Sequence, residues 1–164
     1  AGLMAKPPIR PSADGNFEVD LDPSVVELLE HMCSELEALL ASDSPLLTRL
    51  FPPPYGDDTE RNEGYAALAV PELIDHRIEA IASLRSTLGA KKLTPEELMT
   101  WMRTLNDMRL VLGTLLGVDD DLAVPEVPED MADTLAVYEF LGFLLEVVVA
   151  ALTEGTPDDG WGTG

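Results

Sequence analysis

The residues best placed to do chemistry sit together on one stretch, Trp101-Met-Arg103-Thr-Leu-Asn106-Asp107-Met-Arg109, inside an otherwise apolar run. Arg103 and Asp107 are four apart, the spacing at which helical side chains pair. Two arginines with Asn106 as a donor can grip a carboxylate in forked geometry, with Trp101 and Met102 one turn earlier as apolar walls. The same residues serve equally as a structural network that ties this helix to a strand or to the Phe51–Tyr55 segment, because buried polar groups must be satisfied. Trp101, Arg103, Asn106, Asp107 and Arg109 are therefore the candidate binding residues, with the structural role the favoured one.

Other constellations fail on spacing. Glu72, His76 and Glu79 share a helical face with Asp75 beside them, but a di-iron bundle needs Glu-x-x-His pairs, and Leu73 and Leu28 stand three before His76 and His31. They read as a solvated acidic face, and no metal is expected. His31 and Cys33 point in different directions on a helix, and Cys33 reads as a small buried hydrophobe. Asp119-Asp120-Asp121 would open a calcium loop, yet Val124 and Asp130 occupy the positions that need Gly and Glu. Glu139 and Glu146, one heptad apart, would need Arg77, Arg85, Arg103 or Arg109 to neutralise them if buried. There is no P-loop, dinucleotide fingerprint, Gly-x-Ser-x-Gly or His-Glu-x-x-His. No catalytic residues and no cofactor are expected.

Thr94-Pro95-Glu96-Glu97 is the clearest positioning signal: Thr94 caps, Pro95 takes the first helical position and Glu97 completes a capping box. The helix it starts carries Leu98, Trp101, Leu105, Met108 and Leu112 and stops at Gly117, while Gly113 permits close helix approach. An earlier helix starts at Asp22-Pro23 and runs to about Ser42 on a stripe through Leu29, Met32, Leu36 and Leu40. Ser44-Pro45 restarts a short helix, and Phe51-Pro-Pro-Pro-Tyr55-Gly56 forces an extended segment. A weak helical piece over 57–68 is followed by a separate helix from Pro71 to about Leu88, with Lys91 and Lys92 in the loop beyond Gly89. The last helix spans about 129–153.

Phe17, Val19 and Leu21 alternate with acids as a short strand, and Asp14-Gly15 is a turn signal. The expected fold is all-α: a helical bundle of three long helices plus shorter ones, with a small N-terminal β-hairpin. Residues 1–16 form a flexible or hairpin N-terminus, 17–153 the helical domain, and 154–164 a disordered tail.

The chain has 164 residues, 31 Asp+Glu against 10 Lys+Arg, and a net charge of −21. That field repels phosphate backbones and anionic membranes, so no nucleic-acid and no membrane partner is expected, and a basic protein partner suits it. One cysteine excludes an internal disulfide and fits a cytoplasmic location. The start AGLMAKPPIRPS has no apolar signal core, and Met4 reads as its initiator. The stretch 135–152 is long and greasy, but acids flank both ends and no Lys or Arg follows Arg109 to orient a span. Its apolar residues exceed one bundle stripe, which points to a homodimer through this helix.

The segments LDPSVVELLEHMCSELEALL, SPLLTRLFPPPYGDD, LTPEELMTWMRTLNDMRLVLGTLLGV and YEFLGFLLEVVVAAL resemble the actinobacterial family DUF2017 over roughly Phe17 to Leu152. The family's function is not established. Members labelled as transcriptional regulators, and genes beside that of the Clp protease adaptor, imply regulation linked to proteostasis. The proline-rich start departs from the Trp- and Arg-containing opening strand of the family, so no role is carried over to it. The reading that follows is a cytoplasmic interaction or regulatory module acting through protein contacts. The alternatives are a small-molecule binder or enzyme using Arg103, Asn106, Asp107 and Arg109, and a transcriptional regulator.

Overall fold

The computed structural model describes residues 6–42, 44–117 and 129–155. Strands β1 (Ile9–Pro11) and β2 (Phe17–Val19) lead into helix α1 (Pro23–Leu40), a 3₁₀ turn (Pro45–Arg49), α2 (Thr59–Thr87), β3 (Lys92–Leu93), α3 (Pro95–Leu116), a second 3₁₀ turn (Glu129–Met131) and α4 (Ala132–Gly155). The mostly helical fold with its N-terminal hairpin is as expected. Residues 118–128, with the Asp119-Asp120-Asp121 run, and most of the expected tail lie outside the described residues.

The hairpin forms because Gly15 supplies φ +87° at its turn, where Asp14 Oδ1 accepts from the Asn16 N–H at 3.1 Å. Alternation then sorts the faces. Ile9, Phe17 and Val19 point inward and are buried, while Arg10 and Glu18 pair across the outer face. Lys92, expected in a loop, instead joins with Leu93 as the third antiparallel strand, with Leu93 opposite Phe17. Two residues are too few for alternation to register in sequence, but Leu93 is 1% exposed and completes the inner face. This sheet packs against the C-terminal end of α4. A Cβ built at Gly155 would lie 2.8 Å from the Phe17 ring, so the helix end touches the sheet because that residue has no side chain.

The second correction is α2. Pro71 does not separate two helices but lies inside one of 29 residues. Proline removes one helical hydrogen bond, and the carbonyl it frees belongs to Ala67. Ala67 and Pro71 are both exposed, so that carbonyl faces solvent instead of a dry core. The first half of α2 buries little and Leu68 is 85% exposed, whereas Ile81 and Leu84 in the second half join the core.

Helix α3 begins as its sequence dictates. Thr94 Oγ1 accepts from the Glu97 N–H, and Glu97 Oε1 accepts from the Thr94 N–H. It ends on Gly117 in the left-handed region. Leu98, Trp101, Leu105 and Met108 from α3 meet Leu29, Cys33 and Leu36 from α1 and Leu141, Leu144 and Val148 from α4 in one core.

Candidate functional site

Helix α3 sends its polar residues in different directions. Asp107 points toward α2 and is buried, where Arg77 Nη1 donates to both its carboxylate oxygens at 2.8 and 2.7 Å. The expected Arg103–Asp107 pair is therefore corrected: Arg103 is exposed, and the buried carboxylate takes its cation from another helix. A pair one turn apart on an exposed face brings little, whereas a carboxylate turned into the helix interface must find a charge there. The Arg77 guanidinium also lies over the Phe51 ring, 5.7 Å from its centroid. The proline-rich segment, α2 and α3 are thus joined at one point. Burial pushes Asp107 up to about 6, against the opposing pull of Arg77.

The remaining candidates do not converge on Asp107. Asn106 is exposed. Trp101 is fully buried, and its Nε1–H donates to Thr87 Oγ1 at 2.7 Å, tying α3 to the last turn of α2. Arg109 faces α4, with its guanidinium 4.7 Å from the Tyr138 ring centroid. Two glycines make that seam. A Cβ at Gly142 would approach Arg109 Nε to 3.2 Å, and one at Gly113 would approach the Tyr138 ring to 3.2 Å. Each bulky side chain occupies the space opposite a glycine on the other helix. Arg109 Nε is shielded from solvent without a hydrogen-bond partner, so packing holds this arginine at that atom.

Glu139 and Glu146 lie on the exposed face of α4, so they need no arginine to neutralise them. Arg85 pairs instead with Glu37 at 2.8 Å and donates to Ser34, joining α2 to α1. His31–Glu35 and His76–Glu72 are exposed contacts at 3.8 Å. Among the described residues, no three His, Cys, Asp or Glu side chains are grouped to hold a metal. Cys33 is fully buried, and burial pushes its thiol up to about 11. A redox-reactive thiol needs the opposite environment.

Sequence reasoning missed a groove of about 450 Å³ between α1, α3 and the start of α4. Leu28, Met32, Val111, Leu112 and Val137 line it half-buried, Met108 lies at its base, and His31, Glu35, Asp133 and Thr134 supply its polar lining. Among the described residues, no Lys or Arg lines it. No sequence signal set it apart, because its apolar residues belong to the same helical stripes that build the core. Among the described residues, α4 is one helix long and apolar enough to cross a membrane by length and composition. Here it packs against α3 and β1.

The family described as "Domain of unknown function (DUF2017)" matches residues 6–152. The chain is also similar to the "Putative oxidative stress regulator AosR" of Mycobacterium leprae (strain TN), with 31% identity over 129 residues, covering 67% of this chain and 59% of that protein. The chain thus spans less than two thirds of that relative's length. No solved structure matches. The chain belongs to the DUF2017 family, as its sequence segments indicated.

Proposed function

We propose that this DUF2017 chain is a cytoplasmic regulatory module that works through protein contacts and not through catalysis. One observation carries the reading: three of the five candidate residues, Trp101, Asp107 and Arg109, hold helices together, while Arg103 and Asn106 are exposed apart from them. Asp107 is spent on Arg77, Trp101 on Thr87 and Arg109 on Tyr138. What stays available to a partner is apolar groove and acidic surface. The similarity to a protein named as a regulator supports the regulatory half.

The small-molecule or enzyme alternative would need Arg103, Asn106, Asp107 and Arg109 around one ligand, and their divergence counts against it. A DNA-binding regulator is disfavoured by charge. Among the described basic residues, Arg10, Arg61, Arg77, Arg85 and Lys92 are in ion pairs with carboxylates, which leaves little free cationic surface against a net charge of −21. An anionic membrane would meet the same field, so we place the protein in the cytoplasm without a membrane partner.

Affinity capture from a lysate of the native host, using the purified chain at physiological salt, tests the reading. Recovery of a stoichiometric protein partner is expected. Recovery of a tightly bound small molecule by native mass spectrometry, with no protein partner, would replace it with the alternative.

A further inference from the structure

We propose that the groove between α1, α3 and α4 is a docking site for a basic amphipathic helix of a partner protein. This rests on the protein-contact reading above and names the surface and the chemistry of the partner.

The apolar half of the argument is geometric. Leu28 and Met32 on α1, Val111 and Leu112 on α3 and Val137 on α4 converge on one groove and remain half-exposed, although each helix also sends residues into the core. Leu115 at the end of α3 is 47% exposed along the same groove. Helix-in-groove recognition needs this arrangement: side chains at i, i+3 or i+4 and i+7 of the partner enter an apolar channel between helices. Met32 and Met108 give the lining a deformable character, since thioether side chains repack around different anchors.

The charged half selects the partner. Glu35 on α1 and Asp133 at the start of α4 line the groove, and among the described residues no Lys or Arg does. Glu35 is largely solvent-exposed, at 65% of its side chain, and its contact is the 3.8 Å approach to His31. A partner helix with Lys or Arg beside its apolar anchors would place cations against these carboxylates. An acidic helix would meet them and the net charge of −21 together. Electrostatics therefore favours a basic helix and rejects an acidic one with the same apolar pattern.

The test uses the full chain and two labelled peptides of about 16 residues, roughly four helical turns. Both have the same leucine pattern, with Lys/Arg flanks in one and Glu flanks in the other. The basic peptide is expected to bind in the micromolar range, and the acidic one at least about tenfold more weakly. The double variant Glu35→Lys/Asp133→Lys should weaken the basic peptide by about tenfold or more while its melting temperature stays near that of the parent. A control with the same change in charge on the far arm of α2, Glu60→Lys/Glu63→Lys, should retain binding. Leu112→Ser should weaken both peptides.

Equal loss in the control would reduce the interaction to overall charge attraction and overturn the proposal. So would absence of binding by the basic peptide, or self-association of the chain that Leu112→Ser abolishes, which would make a second copy the occupant. A natural partner captured equally well by parent and groove variants would overturn the groove proposal while leaving the protein-contact reading intact.

Discussion

Arg77 and Asp107 stand thirty positions apart and form a two-pronged contact at 2.7 and 2.8 Å, with the carboxylate buried and the guanidinium partly open. The pair sets the sign of one pH effect. Burial raises Asp107 to about 6, above the ordinary 3.8, so the folded chain holds that proton more tightly than the unfolded chain. A raised folded pKa means that the contribution is fully present below about 3.8 and is lost as pH rises through about 6. Stability attributable to this residue should fall between pH 4 and pH 7, by roughly 1–3 kcal/mol. Denaturant titrations across that range should show the slope in the parent and not in Asp107→Asn. The same slope in both would place its origin in general relief of acidic repulsion.

Removing the cation is a separate experiment. Arg77→Ala should cost roughly 3–5 kcal/mol at pH 8, where it leaves a buried carboxylate unpaired. The deficit should shrink at pH 5, where Asp107 is protonated. Arg103→Ala should stay within about 0.5 kcal/mol, because Arg103 is exposed. Thermal melts at both pH values compare the two. Equal losses would return Arg103 to the role that its i, i+4 spacing suggested.

How far the sequence reached can be judged at these residues. The Thr94–Glu97 box and the Gly117 stop were legible because they are local: each is settled within one turn of chain. The Arg77–Asp107 pair was not, because no local rule relates two helices thirty residues apart. The sequence marks Asp107 as a polar residue in need of a partner if buried, but which partner it takes comes from packing. The continuity of α2 was missed for a different reason. A proline inside a helix is costly when its freed carbonyl is buried, and exposure is a tertiary property. The groove was invisible because the same apolar residues serve a core or a docking surface, and only burial separates them.

Two glycines on the helices should respond oppositely to alanine. At Gly155 a Cβ would meet the buried Phe17 ring at 2.8 Å, closer than real contacts allow. Gly155→Ala should destabilise by about 1–3 kcal/mol, since the ring is enclosed and has little room to shift. At Gly64 in α2 nothing lies within 4 Å. Gly64→Ala should stabilise by roughly 0.5–1 kcal/mol through the lower entropy of the unfolded chain. Midpoints of chemical denaturation measure both. A neutral Gly155→Ala would mean that the α4 end is not held against the sheet.

The thiol bears on what can be transferred from the relative named as an oxidative stress regulator. Cys33 is fully buried and its thiol is raised to about 11, so roughly one molecule in ten thousand carries a thiolate at pH 7. Labelling by a thiol reagent should be slow in the folded protein and should accelerate in step with unfolding. Cys33→Ala should leave any partner binding unchanged with or without peroxide. Rapid labelling under native conditions would show that α1 opens and would bring the thiol back into consideration as a sensor.

The last prediction concerns assembly. The protomer buries Leu141, Leu144, Val148 and Ala151 of α4, but leaves Phe143 at 54% and Val149 at 44% exposure. Ala136 and Ala150 share the outer face with Phe143, as do Glu139 and Glu146. Small residues beside an exposed aromatic allow a second copy to approach closely, and two-fold symmetry is the commonest way to cover such a face. We expect a homodimer through α4, with the glutamates toward the edge of the contact. Because the facing glutamates repel, the dimer should tighten with added salt, opposite to the basic-peptide interaction at the groove. Light scattering at tens of micromolar measures the mass directly, and Phe143→Glu should yield monomers without loss of helical content. A monomer mass for the parent chain would sink the dimer and leave the outer face of α4 exposed to solvent.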